Sequence, residues 1–188
     1  ANASVSAARN DSFIEAEGNI AVSPTNGAVA NSYIALGGGN AVFMGVSRSA
    51  DGMAWTQDGR VTDPEFNGSS DPVLEYSRDG TLRMTFIGLA RNGVGQVTNV
   101  RVRVTESSNN GMTWATPRPV DPAGTCVMGG ICDKPWLTAG PGVEAGTEAL
   151  YLGYLAQTQN AANLLVQRSD DAAQTWIRPV VLASAGQL

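Results

Sequence analysis

One turn occurs three times in this chain, each time ending on a tryptophan. The copies are Ser49-Ala50-Asp51-Gly52-Met53-Ala54-Trp55, Ser107-Ser108-Asn109-Asn110-Gly111-Met112-Thr113-Trp114 and Ser169-Asp170-Asp171-Ala172-Ala173-Gln174-Thr175-Trp176. Their tryptophans stand about sixty residues apart. A fixed period of that size is the mark of a repeat architecture, in which one supersecondary unit is stacked against its own copies.

The flanking sequence says what each turn joins. An apolar, strand-like run precedes every copy: Ala41 to Val46, Val100 to Val104, and Leu164 to Val166. Another short extended stretch follows, so the turn closes a hairpin. Asp or Asn at its third position bonds backbone two residues on, as in an Asx-turn. Gly or Asn further along supplies positive φ where the chain reverses. The closing tryptophan is a large apolar plug for the space between neighbouring sheets.

These residues resemble the Asp-box, or BNR repeat, of the sialidase superfamily, whose pattern is Ser-x-Asp-x-Gly-x-Thr-Trp. The elements carrying the resemblance are Ser49, Asp51 and Trp55; Ser107, Asn109, Gly111 and Trp114; and Ser169, Asp171 and Trp176. The second copy has Asn109 for Asp and the third has Ala173 for Gly. The first is one residue short and carries Ala54 for Thr. The resemblance covers roughly residues 15 to 185. It implies a folding role for the box, on the face away from an active site.

A second shared segment lies upstream of each turn, opening on an acid: Glu17, Asp71 and Asp133. Alternating strands follow it, at Ser32–Leu36, Thr81–Phe86 and Ala149–Leu155, with Asp79-Gly80 as a two-residue hairpin signal before the middle one. Each unit then reads as four short strands, one blade of a β-propeller. The expected organisation is all-β: an N-terminal extension over 1–14, a propeller domain over 15–183 with blades at about 15–62, 69–120 and 131–183, and a tail over 184–188. Propellers close with four to eight blades, so three imply part of a larger ring, of six or more blades in families with this box. The remaining blades are then expected from a second propeller-completing polypeptide, from a homodimer mate, or from a longer chain of which this sequence is a part.

Composition narrows the function. Net charge is −5, which argues against nucleic acid, whose phosphates call for a basic stripe, and against docking on anionic membranes. No apolar run is long enough for a transmembrane helix. The two cysteines, Cys126 and Cys132, share a glycine-rich loop and are expected to form a disulfide, which points to export to an extracellular, periplasmic or surface location; reduced thiols or half a metal site are the alternative. The chain contains no histidine, which removes zinc's commonest ligand and any Ser-His-Asp triad. Sequons occur at Asn2, Asn10 and Asn67. The Gly37-Gly38-Gly39 run is not followed by the Lys-Ser/Thr of a phosphate loop.

Chemistry is expected on the axis. Innermost strands line a propeller's channel, and the repeat alignment places Glu17, Asp71 and Asp133 at equivalent starts. Three converging carboxylates would bind a cation such as Ca²⁺ or raise one another's pKa; the local alternative is that each caps backbone N–H groups. The sialidase resemblance implies three arginines on the substrate carboxylate, a Tyr nucleophile relayed by Glu, and an Asp acid/base. The family's early Arg-Ile-Pro motif is absent. Arg118-Pro119 and Arg178-Pro179 follow boxes on outer strands, and Arg83, Arg101, Arg103, Tyr33, Tyr151 and Tyr154 have no spacing that assigns a triad. No catalytic residue is carried over. The leading expectation is an exported, non-catalytic propeller module for recognition or assembly, with glycan as a candidate partner. The alternative is part of a sialidase-like glycoside hydrolase or other carbohydrate-active enzyme whose site lies outside or across chains. A structural, Ca²⁺-binding surface component is the third reading.

Overall fold

A computed structural model describes residues 15–36, 42–120, 126, 130–157 and 160–186. They form three four-stranded antiparallel sheets, each a meander in chain order. Blade 1 contains β1 (Glu15–Val22), β2 (Val29–Leu36), β3 (Val42–Ser49) and β4 (Thr56–Val61). Blade 2 contains β5 (Gly68–Tyr76), β6 (Leu82–Arg91), β7 (Val97–Ser107) and β8 (Arg118–Pro119). Blade 3 contains β9 (Ile131–Pro141), β10 (Glu148–Gln157), β11 (Ala161–Ser169) and β12 (Val180–Gly186). This is a partial propeller. The last strand runs beyond 183, pairing Ser184 with Asn163 and Ala185 with Ala162, so residues expected to start the tail complete the ladder. The Gly37–Gly39 run and the sequons at Asn2 and Asn10 lie outside the described residues. At the third sequon, the Asn67 amide exchanges hydrogen bonds with the Arg91 backbone, at 2.9 and 2.8 Å.

Strand alternation creates the core. Successive side chains point to opposite faces of a sheet, and each blade uses one face per neighbour. Met44, Val46 and Val61 of blade 1 meet Leu74, Leu82, Met84 and Phe86 of blade 2. On the far face of blade 2, Ile87, Val102 and Val104 meet Leu137, Leu150, Leu152 and Tyr154 of blade 3. The turn tryptophans seal these junctions: Trp114 packs on the first cluster and Trp176 on the second. Each thus closes the space between its own blade and the preceding one. Trp55, whose blade has no predecessor here, joins neither cluster among the described residues.

The turns themselves are side-chain scaffolds. Ser49 Oγ donates to Asp51 Oδ1, which accepts the N–H groups of Met53 and Ala54 at 2.8 and 2.9 Å. In the second turn Asn109 Oδ1 accepts the Thr113 N–H at 2.9 Å, while Asn109 Nδ2 donates to Thr113 Oγ1 at 2.8 Å. In the third, Asp171 accepts both the N–H and the hydroxyl of Thr175. Positive φ falls on Asn110 and Gly111 in the second turn and on Ala172 (58°) and Ala173 (67°) in the third. The Asp79-Gly80 reversal is wider than the two-residue hairpin expected, because Ser77 and Thr81 close the ladder outside Gly80.

Candidate functional site

The innermost strands β1, β5 and β9 carry a register irregularity at corresponding places, between Ala16 and Asn19, between Ser70 and Val73, and opposite Gly153 to Leu155. A bulge of this kind re-aims a side chain. Within each, one non-glycine residue adopts left-handed φ: Glu17 at 53°, Asp71 at 53° and Lys134 at 47°. L-residues adopt this conformation at a cost, and such strain concentrates at functional positions. The structurally equivalent trio is therefore Glu17, Asp71 and Lys134. Asp133, aligned with the two acids in the sequence, precedes the equivalent position, which a lysine fills.

All four groups nevertheless meet. The Lys134 N–H donates to Asp71 Oδ2 at 3.2 Å and to Asp133 Oδ1 at 3.0 Å. Its ammonium donates to Glu17 Oε1 at 3.0 Å and lies 3.6 Å from Asp71 Oδ2. Asp71 is the most enclosed, its side chain 11% exposed, whereas Lys134 is 65% exposed. The cluster borders a small cavity of about 180 Å³ that also touches Asn19 and Trp136.

Contact separates the acids electrostatically. Burial raises Asp71, but hydrogen bonds from Glu17, Asp133 and the Lys134 N–H outweigh it, and its carboxyl lies below the ordinary value. Glu17 lies above its own, first because it is hydrogen-bonded to Asp71, with Lys134 opposing. Asp133 is raised by burial and then by Asp71. The Glu17 hydrogen bond raises Lys134. Asp71 is thus the anion at the centre, and Glu17 and Asp133 are the groups that hold protons longest. Among the described residues no three His, Cys, Asp or Glu side chains are arranged to hold a metal ion. The Lys134 ammonium stands beside the Glu17 and Asp71 carboxylates.

The arginines lie elsewhere. Arg103 is buried on β7, bonded to Asp63 and Glu65 of the linker after β4 and to the Pro117 carbonyl. Arg83 is buried beside Ser77 and Glu106. Arg118 donates to the Ala173 carbonyl at 3.3 Å. Cys126 and Cys132 are disulfide-bonded. Sequence reasoning missed Lys134, whose left-handed φ is set by the bulge in β9 and has no local sequence signal.

No protein-family model matches the sequence, and no curated protein matches it. Solved structures do. An α-L-arabinanase of Penicillium chrysogenum superposes with a TM-score of 0.68 at 18% identity, over 92% of this chain and 51% of that one. The α-L-arabinofuranosidase Arb93A of Fusarium graminearum gives 0.69 at 15% identity, over 91% and 49%. A Hadza microbial sialidase gives 0.64 at 16% identity, over 90% and 38%. The chain spans about half the length of the first of these. At such identities the likeness is one of fold: three blades of the kind of β-propeller that carbohydrate-active hydrolases use.

Proposed function

We propose that this chain is part of a carbohydrate-active propeller of the glycoside hydrolase kind, and that its axial cluster supplies part of the saccharide site. The observation that carries the reading is the convergence of Glu17, Asp71, Asp133 and Lys134 from three blades on one point, with left-handed backbone at each equivalent position. The similar solved proteins, named as an arabinanase, an arabinofuranosidase and a sialidase, support the same class.

In this reading the cluster does a share of the work. Paired glycosidase carboxyls flank the scissile bond about 5–9.5 Å apart. Glu17 and Asp133 are each in hydrogen-bonding contact with Asp71, so Asp71 is too close to either to flank the bond with it. A pair that includes Asp71 therefore needs a carboxyl from further blades. Asp71 suits acceptance of sugar hydroxyls or stabilisation of developing positive charge, and Glu17 or Asp133 suits proton donation. The completing blades dock on the free face of blade 3, where Trp136 and Leu164 are 65% and 42% exposed, whichever polypeptide carries them. Export fits the disulfide.

A second reading, saccharide recognition without turnover, is favoured by the Lys134–Glu17 ion pair, which compensates the cluster internally. Native mass spectrometry identifies the completed assembly, which is then assayed on arabino-oligosaccharides, sialosides, fructans and aryl glycosides. Turnover that falls about a hundredfold or more in Asp71→Asn is the expected result. Saccharide binding without turnover supports the second reading, and neither binding nor turnover overturns both.

A further inference from the structure

The axial cluster borders two cavities. Glu17, Asp71 and Lys134 line the small one on the axis. Asp133, hydrogen-bonded to Asp71, lines a larger one of about 410 Å³ between blades 2 and 3. The packing says why space remains there. Along β10 the residues facing blade 2 are Leu150, Leu152 and Tyr154, and then Ala156. Ala156 pairs with Cys132 on β9, so two small side chains stand where large ones fill the junction further along. On the near face of blade 2 the same level is filled, because the Phe66 ring covers Gly88.

The lining is apolar. Ile87 and Leu89 belong to the blade 2 wall, and Val97 and Ile131 on the rim are 45% and 53% exposed. Among the described lining residues Asp133 is the one that can ionise. Thr98 Oγ1 is already bonded to the Ala90 carbonyl, at 3.2 Å. The disulfide from Cys132 to Cys126 holds the blade 3 wall in place. Volume and lining both match small-molecule sites, which are mostly apolar with a few polar groups. A sugar unit there would leave most of its hydroxyls without partners.

We propose that this cavity holds an apolar leaving group, an aryl or alkyl aglycone, of the glycoside that the axial site cleaves. The aglycone role rests on the hydrolase reading; the apolar site itself does not. A glycosidase acid gives its proton to the oxygen that leaves with the aglycone, so the aglycone lies on the acid's side. Asp133 is the cluster carboxyl on the side of this cavity. As the bond from the sugar carbon to that oxygen breaks, its electron pair stays on the oxygen. Asp133 supplies the proton, and the aglycone departs as a neutral alcohol or phenol. A water molecule supplies hydroxide to the sugar carbon, and its proton goes to a carboxylate.

The first arm of the test needs no substrate. The completed assembly, ¹³C-labelled at methyl groups, is titrated with benzyl alcohol and separately with arabinobiose. Saturable shifts of the Ile87, Leu89 and Val97 methyls with benzyl alcohol are expected. The double variant Val97→Asn with Ile131→Asn, at two exposed positions, should weaken that binding about tenfold with the fold intact. Unmoved methyls, an affinity unchanged in the variant, or stronger shifts from arabinobiose overturn the apolar site. The second arm tests the role. Asp133→Asn should slow hydrolysis of benzyl glycosides about a hundredfold, and of 2,4-dinitrophenyl glycosides far less, since that leaving group departs without a proton. Equal losses, or cleavage of oligosaccharides with none of benzyl glycosides, overturn the aglycone role and leave the hydrolase reading standing. Benzyl alcohol bound by an assembly that turns over no glycoside overturns the hydrolase reading and the aglycone role together, while supporting the apolar site.

Discussion

The two blade junctions are built on one plan and fastened by opposite means. At the first, the linker after β4 is held by charge: Arg103, 1% exposed, bonds the fully buried Asp63 carboxylate at 2.7 Å and Glu65 at 3.2 Å. Phe66 lies under the guanidinium, 5.1 Å away. Gly88 makes room for it, since a Cβ there would come within 2.9 Å of the Phe66 ring. At the second, the far face of β7 presents Val100, Val102 and Val104 to blade 3, and the fastening is the Cys126–Cys132 disulfide. The ionic clamp acts in the folded state and depends on both partners. The covalent one acts chiefly by restricting the unfolded chain. The first should therefore fail abruptly when one partner is lost, and the second by a bounded amount.

The largest effect is expected at the charged junction. Asp63→Ala strands the buried Arg103 guanidinium and should destabilise the protein by about 3–5 kcal/mol in urea unfolding. Replacing both partners by apolar residues, Asp63→Leu with Arg103→Met, should recover most of that loss, because the desolvation cost disappears along with the attraction. A single mutant that matches the double mutant would break the contrast, since the clamp would then be ordinary packing.

Cys126→Ser with Cys132→Ser should cost less, about 2–2.5 kcal/mol on the chain-entropy account of so short a loop. Unfolding of wild type with and without reductant checks the figure. A loss equal to that of Asp63→Ala would mean that the bridge also holds the native junction in place.

What the sequence revealed follows the range of the interactions. The three turns, the blade count and the cysteine pair are legible because each is encoded within a few residues or by a period. Arg103 was not legible: in Val100-Arg101-Val102-Arg103-Val104 alternation marks it as solvent-facing, and only the path of the linker carries Asp63 over it. The axial site was half legible. Glu17 and Asp71 are found by repeat alignment, but Asp133 shares their chemistry and not their backbone geometry. The left-handed bulge belongs to Lys134, one residue on, a register that three acids in a column conceal.

The turns beneath the junctions differ as well. Asn110 and Gly111 take positive φ at the first, residues suited to it, whereas Ala172 and Ala173 take it at the second. Ala173 is buried in the core, so losing its methyl would blur the outcome. Ala172 is exposed, and Ala172→Gly should stabilise by about 0.5–1 kcal/mol through relief of strain. The reverse change at the first junction, Asn110→Ala, should destabilise by a similar amount. Equal melting temperatures for Ala172→Gly and wild type would remove backbone strain from the contrast.

The smallest expected effect is the response to acid. Asp171 is held at about 2, first by the Thr175 hydroxyl and then by the Thr175 N–H. A depressed folded-state value means that the group adds stability above its unfolded value, near 4, and that this is lost as pH falls towards 2. The equivalent Asn109 makes the same bond to the Thr113 N–H and cannot titrate. Asp171→Asn should therefore preserve the turn, lower the melting temperature slightly at pH 7, and flatten its fall between pH 4 and 2. Asn109→Asp should steepen that fall, giving the first junction the acid sensitivity of the second. If Asp171→Asn leaves the slope between pH 4 and 2 unchanged, acid sensitivity does not arise in this turn. The Glu17–Asp71–Asp133 cluster, whose central carboxylate is also held below its ordinary value, is then the place to look, and Asp71→Asn is the variant whose slope decides it.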